Sequence, residues 1–178
     1  MKYILFICLA VIGFSAIAQE TPKEPADRGY IVKVGDMAPD FTIEYLDGST
    51  KKLSDFKGKI VMIQFTASWC GVCRKEMPHI EKDIWLKHKS NSNFALIGVD
   101  YKESHEKTTA FAEKIKITYP LTLDETGEKF HLFATKEAGV TRNIIIDKTG
   151  KIVFLTRLYD EKEFTEMKKV IDKLVEGK

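Results

Sequence analysis

The chain has 178 residues, of which 44% are hydrophobic and 30% are charged, and its formal net charge is +2. This composition is ordinary for one soluble globular domain. Because the net charge is small and no basic block stands out, we expect no nucleic-acid partner.

The first eighteen residues have the pattern of a secretory signal peptide. One lysine precedes an apolar run, and the small-residue pattern Ala16-Ile17-Ala18 follows it, so we expect cleavage after Ala18. An uncleaved membrane anchor is the alternative, although the apolar run is too short to span a bilayer comfortably. Residues 19–29 contain prolines and charges but few apolar residues, which predicts a flexible tether before a domain at residues 30–178.

The domain begins with a predicted β-hairpin. Three apolar residues alternate with polar ones and a turn-forming pair follows: Phe41, Ile43, Tyr45, Asp47 and Gly48. Residues 59–67 are almost continuously apolar, which predicts a strand covered on both faces.

A helix is predicted next, from Cys70 to about Lys89, with Pro78 expected to kink it. Its apolar stripe is formed by Met77, Ile80, Ile84 and Trp85. The later predictions, in chain order, are a buried strand at 93–100, a helix at 103–117, a short helix within 125–134, two strands joined by a turn at 143–156, and a final amphipathic helix.

The final helix has clear boundary signals. Asp160 is the expected N-cap and Gly177 lies just past the expected end. The alternation of strands and helices along the chain predicts an α/β fold, with a sheet between helices and right-handed crossovers.

The cysteines carry the predicted chemistry. Cleavage of the signal would remove Cys8 and leave Cys70 and Cys73, separated by two residues. A disulfide across so short a loop removes little entropy from the unfolded chain, which favours a reactive role over a structural one. Cys70 falls between a strand and a helix, where the helix N-terminus stabilises a thiolate. We therefore expect Cys70 to be exposed and to attack first, and Cys73 to be shielded and to resolve the mixed disulfide.

Zinc binding is the metal alternative for the cysteine pair. A structural zinc site needs four ligands, and the four histidines lie on separate segments at no recognised spacing: His79, His88, His105 and His131. We expect no metal and no other cofactor.

Two stretches, "VGDMAPDF" at 34–41 and "LSDFKGKIVMIQFTASWCGVCRKEMP" at 53–78, resemble a bacterial TlpA/ResA-type thiol–disulfide oxidoreductase of the thioredoxin superfamily. The resemblance implies a thioredoxin fold: a central mixed sheet flanked by helices, with the N-terminal hairpin as an extension. It also implies an exported, periplasmic protein with a redox-active Cys70–Cys73 disulfide. Family members commonly reduce disulfides in extracytoplasmic partners, including apocytochromes, and draw electrons from a membrane thiol–disulfide carrier. We expect a monomer.

The resemblance assigns roles to two further residues and removes one from a third. Trp69 matches the aromatic residue before the nucleophile and would contact substrate, or would simply be a partly buried ring. Glu76 matches the acid that follows the cysteine pair, and it would shuttle a proton of Cys73 if burial raises its pKa; a solvated helix glutamate is the alternative. Gln64 stands where thioredoxin has a buried aspartate, so Glu76 is the only local acid.

A cis-proline precedes the next active-site strand in this superfamily, and Thr141 occupies its position here. We expect a cis Val140–Thr141 bond, although cis before threonine costs about 2.5–4 kcal/mol, because functional sites retain such strain. A rebuilt trans loop is the alternative. If the loop faces the cysteines, Val140 and Thr141 would pair with an extended substrate and Arg142 would meet an acidic partner.

Two other functions remain open. "GDMAPDF" also opens peroxiredoxins, but the proline and threonine expected before a peroxidatic cysteine are replaced by Ile63 and Ala67. A non-catalytic binding module on the same fold is the other alternative, and the intact cysteine pair argues against it.

Overall fold

The computed structural model describes residues 28–177. The predicted signal peptide and most of the predicted tether lie outside the described residues, so both stay predictions. Within residues 28–177, no helix combines the length and hydrophobicity needed to cross a membrane.

The elements follow the predicted order with one addition. The strands are β1 (Thr42–Glu44), β2 (Thr50–Lys52), β3 (Ile60–Thr66), β4 (Phe94–Tyr101), β5 (Leu121–Asp124), β6 (Arg142–Ile146) and β7 (Ile152–Arg157). The helices are α1 (Gly71–Ile80), α2 (Leu86–His88), α3 (His105–Ile115), α4 (Glu128–His131) and α5 (Glu161–Glu176). A 3₁₀ turn at Leu53–Phe56 follows β2, and a π-helical turn at Glu81–Trp85 joins α1 to α2.

Five strands form one mixed sheet in the order β5-β4-β3-β6-β7. The central strand β3 runs parallel to β4 and antiparallel to β6, and β7 is antiparallel to β6. The expected mixed α/β architecture is therefore confirmed. The predicted hairpin is also confirmed, because β1 and β2 pair antiparallel as a separate small sheet.

All seven residues of β3 are buried, and its side chains alternate between two cores. Val61, Ile63 and Phe65 pack with the hairpin and α4, whereas Ile60 and Met62 pack with α1, α3 and α5. Such burial on both faces explains the nearly continuous apolar run in the sequence.

The differences from the predicted elements are local. The sequence reasoning missed β5, a four-residue strand that pairs parallel with β4. The long first helix is interrupted by the π-helical turn, which begins three residues after Pro78. The final helix begins and ends as predicted, with Asp160 as N-cap and Gly177 in the left-handed conformation as C-cap.

Candidate active site

The two cysteines lie where β3 gives way to α1. Cys70 is the N-cap residue of α1, and its sulfur accepts a hydrogen bond from the backbone N–H of Cys73 at 3.2 Å. The two sulfurs are joined as a disulfide. The position confirms the expected placement at a helix N-terminus, where N–H groups without helical partners and the macrodipole favour a thiolate.

The expected exposure of Cys70 is wrong for this disulfide form. Cys70 is 8% exposed and Cys73 is fully buried. Cys70 is covered because its sulfur packs against the loop before β6, with Val140 in the same core cluster. The expected order of accessibility still holds, since Cys70 is the more accessible of the two.

The loop before β6 faces the cysteines, as expected. The Thr141 hydroxyl oxygen lies 3.2 Å from the sulfur of Cys70 and 3.2 Å from the sulfur of Cys73. The expected cis bond at Val140–Thr141 is wrong, because residues 28–177 contain no cis peptide. The Val140–Thr141 bond is an ordinary secondary amide, for which the cis form costs about 2.5–4 kcal/mol. With this bond trans, the loop already brings the Thr141 side chain to the sulfurs.

Glu76 lies on α1, one turn after Cys73, and its side chain is buried. Its Oε1 accepts a hydrogen bond from the Asn143 side-chain amide at 2.7 Å. Burial raises the pKa of Glu76 from its ordinary 4.5 to about 7, and the Asn143 hydrogen bond opposes this rise. The alternative of a solvated helix glutamate is therefore wrong.

Asn143 was missed by the sequence reasoning. It lies on β6 opposite Gln64 of β3, and its amide also donates to the Thr156 hydroxyl at 2.9 Å. Gln64 is buried beside it and accepts a hydrogen bond from the Tyr119 hydroxyl at 2.6 Å. The neutral side chains of Asn143 on β6 and Gln64 on β3 thus lie close enough to Glu76 to oppose the effect of burial on its pKa.

Exposed apolar side chains surround the disulfide. Trp69 is 60% exposed and Val72, between the cysteines, is also exposed. Leu158 is 47% exposed, and its N–H donates to the Thr141 carbonyl at 3.1 Å. Leu158 has a φ of 64°, a conformation that is uncommon for a non-glycine residue.

Arg142 does not occupy the predicted position at the surface. Its side chain is fully buried, donates to the carbonyls of Gly139 and Arg28, and lies over the Tyr30 ring at 4.3 Å. Burial lowers its pKa from the ordinary value. Arg142 therefore joins the first described residues to β6 and cannot meet an acidic partner in this conformation.

Two further acids were also missed, so the expectation that Glu76 is the only local acid is wrong. The buried Glu103 carboxylate accepts hydrogen bonds from the backbone N–H and the hydroxyl of Ser68, two residues before Cys70. Asp100 is buried nearby, and burial followed by the charge of Glu103 raises its pKa to about 7. Both acids occur where β4 ends, and this clustering was the available sequence signal.

Comparisons with known proteins agree with this geometry. Residues 34–155 match the AhpC/TSA family. The thiol-disulfide oxidoreductase ResA of Geobacillus kaustophilus is 31% identical over 150 residues, which cover 84% of this chain and 80% of that protein.

Solved structures show the same fold. A proposed protein disulfide isomerase from Bacteroides thetaiotaomicron is 58% identical, with a TM-score of 0.81, and the match covers 83% of this chain and 93% of that one. The thioredoxin domain of a Bacteroides vulgatus thiol-disulfide oxidoreductase is 28% identical, with a TM-score of 0.64, over 78% of this chain and 99% of that one. The expected thioredoxin fold is confirmed.

The cysteine pair can cycle between dithiol and disulfide at a helix N-terminus, with a buried acid one turn away. The fold, the family match over residues 34–155 and the ResA relatives agree with that chemistry. The chain belongs to the AhpC/TSA family and is a thiol–disulfide oxidoreductase of the ResA type.

Proposed function

We propose that this chain is exported and reduces disulfides in extracytoplasmic partner proteins, with apocytochromes among its substrates. The resemblance to TlpA/ResA-type proteins supports the direction, and the signal-like residues 1–18 support export. The same proposal includes a periplasmic monomer, cleaved after Ala18, that receives electrons from a membrane thiol–disulfide carrier. A chain anchored by an uncleaved signal is the alternative location.

The observation that carries the proposal is the buried Glu76 carboxyl on the helix turn after Cys73. Reducing a substrate requires the resolving thiol to lose its proton inside the protein. A carboxyl whose pKa is about 7 can accept that proton near neutral pH.

The reaction proceeds in two exchanges. The Cys70 thiolate attacks one sulfur of the substrate disulfide, forming a mixed disulfide and releasing the other substrate sulfur as a thiolate. Cys73 then passes its proton to Glu76 and attacks the Cys70 sulfur, which releases the second substrate thiolate. The substrate gains two electrons, its thiolates take up protons from solvent, and Cys70 and Cys73 end as a disulfide.

The surface around Cys70 suits an extended polypeptide. Trp69, Val72 and Leu158 are exposed and apolar, and aromatic side chains supply large contact areas at protein surfaces. The Thr141 side chain brings this loop to the sulfurs, and the backbone at Val140 and Thr141 would pair with the substrate segment.

Trapping tests the proposal in cells. Cys73→Ser leaves Cys70 able to attack but removes the resolving thiol, so mixed disulfides should accumulate in the exported fraction. Cys70→Ser is the matched control and should trap few partners. Mass spectrometry of the same fraction checks cleavage after Ala18. Trapping only in the cytoplasm, or by Cys70→Ser alone, contradicts the proposal.

Purified protein distinguishes the alternative activities. The reduced wild type should reduce insulin disulfides, and a non-catalytic binding module would not. Peroxide-dependent turnover would indicate a thiol peroxidase instead; we expect none, since Ala67 stands where the peroxidatic motif needs a hydroxyl.

A further inference from the structure

The side chain of Thr141 lies directly against the reacting atoms. Its hydroxyl oxygen is 3.2 Å from each cysteine sulfur, and the residue is 3% exposed. Among residues 28–177, the groups within hydrogen-bond distance of the two sulfurs are this hydroxyl and the Cys73 N–H, which donates to the Cys70 sulfur. The Thr141 hydroxyl thus lies within hydrogen-bond distance of both sulfurs.

A hydroxyl has one proton to donate and two lone pairs that accept, and it can rotate between partners. A hydrogen bond to an ionised group is about twice as strong as one between neutral groups. A hydroxyl placed equally close to two sulfurs therefore favours donation to the one that carries negative charge.

The charged side chains near the site form hydrogen bonds with groups other than the cysteine sulfurs. Arg142 on β6 donates to the carbonyls of Gly139 and Arg28. Arg74 on α1 donates to the Ser68 carbonyl, and Glu103, after β4, accepts from Ser68. Glu76 on α1 is held by Asn143. None of these four charged side chains forms a hydrogen bond with either sulfur.

We propose that Thr141 is a catalytic residue that donates its single hydroxyl proton to each cysteine sulfur in turn. In the dithiol form, the hydroxyl donates to the Cys70 thiolate and accepts from the Cys73 thiol. When Cys70 attacks and becomes part of the mixed disulfide, its charge is lost. The hydroxyl then rotates and donates to Cys73 as the proton of that thiol passes to Glu76.

This role rests on the dithiol exchange described under Proposed function and adds no reactant. The hydroxyl keeps its own proton throughout, so the electrons and protons balance as before. The same hydroxyl can donate a hydrogen bond in both exchanges, because its oxygen lies 3.2 Å from each cysteine sulfur.

Thr141→Val and Thr141→Ser separate the hydroxyl from the shape of the side chain. Valine removes the hydroxyl and keeps the branched shape, whereas serine keeps the hydroxyl. In a Cys73→Ser background, the thiolate absorbance of Cys70 should titrate about one pKa unit higher in Thr141→Val, about a tenfold loss of thiolate. In the same background, Thr141→Ser should titrate close to the protein that retains Thr141.

The rates give the second readout. Reduced protein mixed with dithiobis(nitrobenzoic acid) releases one coloured thiolate on attack and a second on resolution. Below the pKa of Cys70, Thr141→Val should slow the first phase about threefold, because the weaker acid is a better nucleophile and offsets part of the lost thiolate. The second phase should also slow, and Thr141→Ser should restore both.

Thr122→Val on β5 is the control, since it removes a buried hydroxyl that donates to the Gly98 carbonyl of β4 at 2.9 Å and not to a cysteine. It should leave both phases unchanged. Equal Cys70 titrations in Cys73→Ser with and without Thr141→Val overturn the proposal. A slowing confined to the first phase overturns the donation to Cys73. If Thr141→Val does not fold, Thr141→Ala takes its place in the same comparison. Failure of trapping in cells would refute the proposed function while leaving this comparison intact.

Discussion

At the residue scale, the environment of Glu76 determines what its carboxyl can do. The side chain is buried, receives one hydrogen bond from Asn143, and has a pKa of about 7. Desolvation disfavours the ionised form, so the carboxyl is protonated below neutral pH and available as a base above it.

Glu76→Gln should slow the resolving step by about 10²-fold, a typical contribution of general base catalysis. In the wild type, the second phase of a disulfide-exchange assay should accelerate as pH rises through about 7. The variant should lose that inflection and keep the first phase. If Glu76→Gln keeps the inflection near pH 7, a group other than Glu76 accepts the proton of Cys73.

The same carboxyl lowers stability at alkaline pH. Its pKa is higher in the folded protein than in the unfolded chain, so the folded state keeps a proton that the unfolded chain releases between pH 4.5 and about 7. Stability therefore falls as pH rises through this window. Asp100, whose pKa is also raised to about 7, acts in the same direction.

Glu76→Gln should therefore stabilise the oxidised protein at pH above 7 by up to about 3 kcal/mol, and should have little effect below pH 4.5. Urea unfolding on both sides of the window measures the difference. The exposed Glu113→Gln on α3 is a control for loss of charge. A stabilisation that is equal at both pH values would contradict the assignment.

At the element scale, three consecutive residues at the start of β6, Thr141 just before the strand and the first two residues within it, make three different contacts. The Thr141 side chain, just before the strand, meets the cysteines; Arg142 faces Tyr30 and α4; and Asn143 points to Glu76 on the opposite face. The period-two alternation of a strand explains how neighbours reach opposite sides of the sheet. The antiparallel pairing with β3 brings Asn143 beside the strand that leads to Cys70.

The helix α5 depends on its N-cap. The Asp160 carboxylate accepts a hydrogen bond from the Glu163 N–H at 2.9 Å, and the buried face of α5 includes Phe164, Met167 and Ile171. Asp160→Ala should lower the unfolding free energy by about 1 kcal/mol, whereas Asp160→Asn should retain most of it. Thermal melting compares them, and equal losses would show that the side-chain cap contributes little.

At the scale of the whole molecule, the first described residues are attached at the active-site end of the sheet. The Arg28 carbonyl accepts from Arg142, its side chain pairs with Glu163 of α5, and the Tyr30 hydroxyl donates to the Thr156 carbonyl at 2.6 Å. Arg28, the first described residue, therefore lies beside Arg142, the residue that follows Thr141.

Arg142→Met should loosen this attachment while leaving the sheet in place. Methionine can fill the apolar space but cannot donate to the carbonyls of Arg28 and Gly139. We expect faster hydrogen exchange at the Ile31 and Thr135 amides, which donate across this attachment at 2.9 Å each. Exchange at Ile144, within β6, is the internal control. Unchanged exchange at Ile31 and Thr135 would show that Arg142 does not hold the segment.

The sequence alone predicted the features that depend on neighbouring residues. Periodicity predicted β3, α1 and α5, the Asp-Gly pair predicted the hairpin, and Asp160 and Gly177 marked the ends of the last helix. The junction between the predicted strand at 59–67 and the predicted helix that follows it also placed Cys70 at a helix N-terminus. Each of these signals lies within a few residues of the feature that it predicts.

The tertiary structure decided what depends on residues far apart in the chain. Cys70 is covered by Thr141, 71 residues away, and Glu76 is held by Asn143, 67 residues away. The short strand β5 forms because β4 offers it a paired edge, and four residues carry too little periodicity to predict it. Arg142 looked like a surface cation, yet it is buried because Tyr30 and the Arg28 carbonyl surround its guanidinium. Local pattern does not specify such contacts, since they arise only when the sheet brings distant segments together.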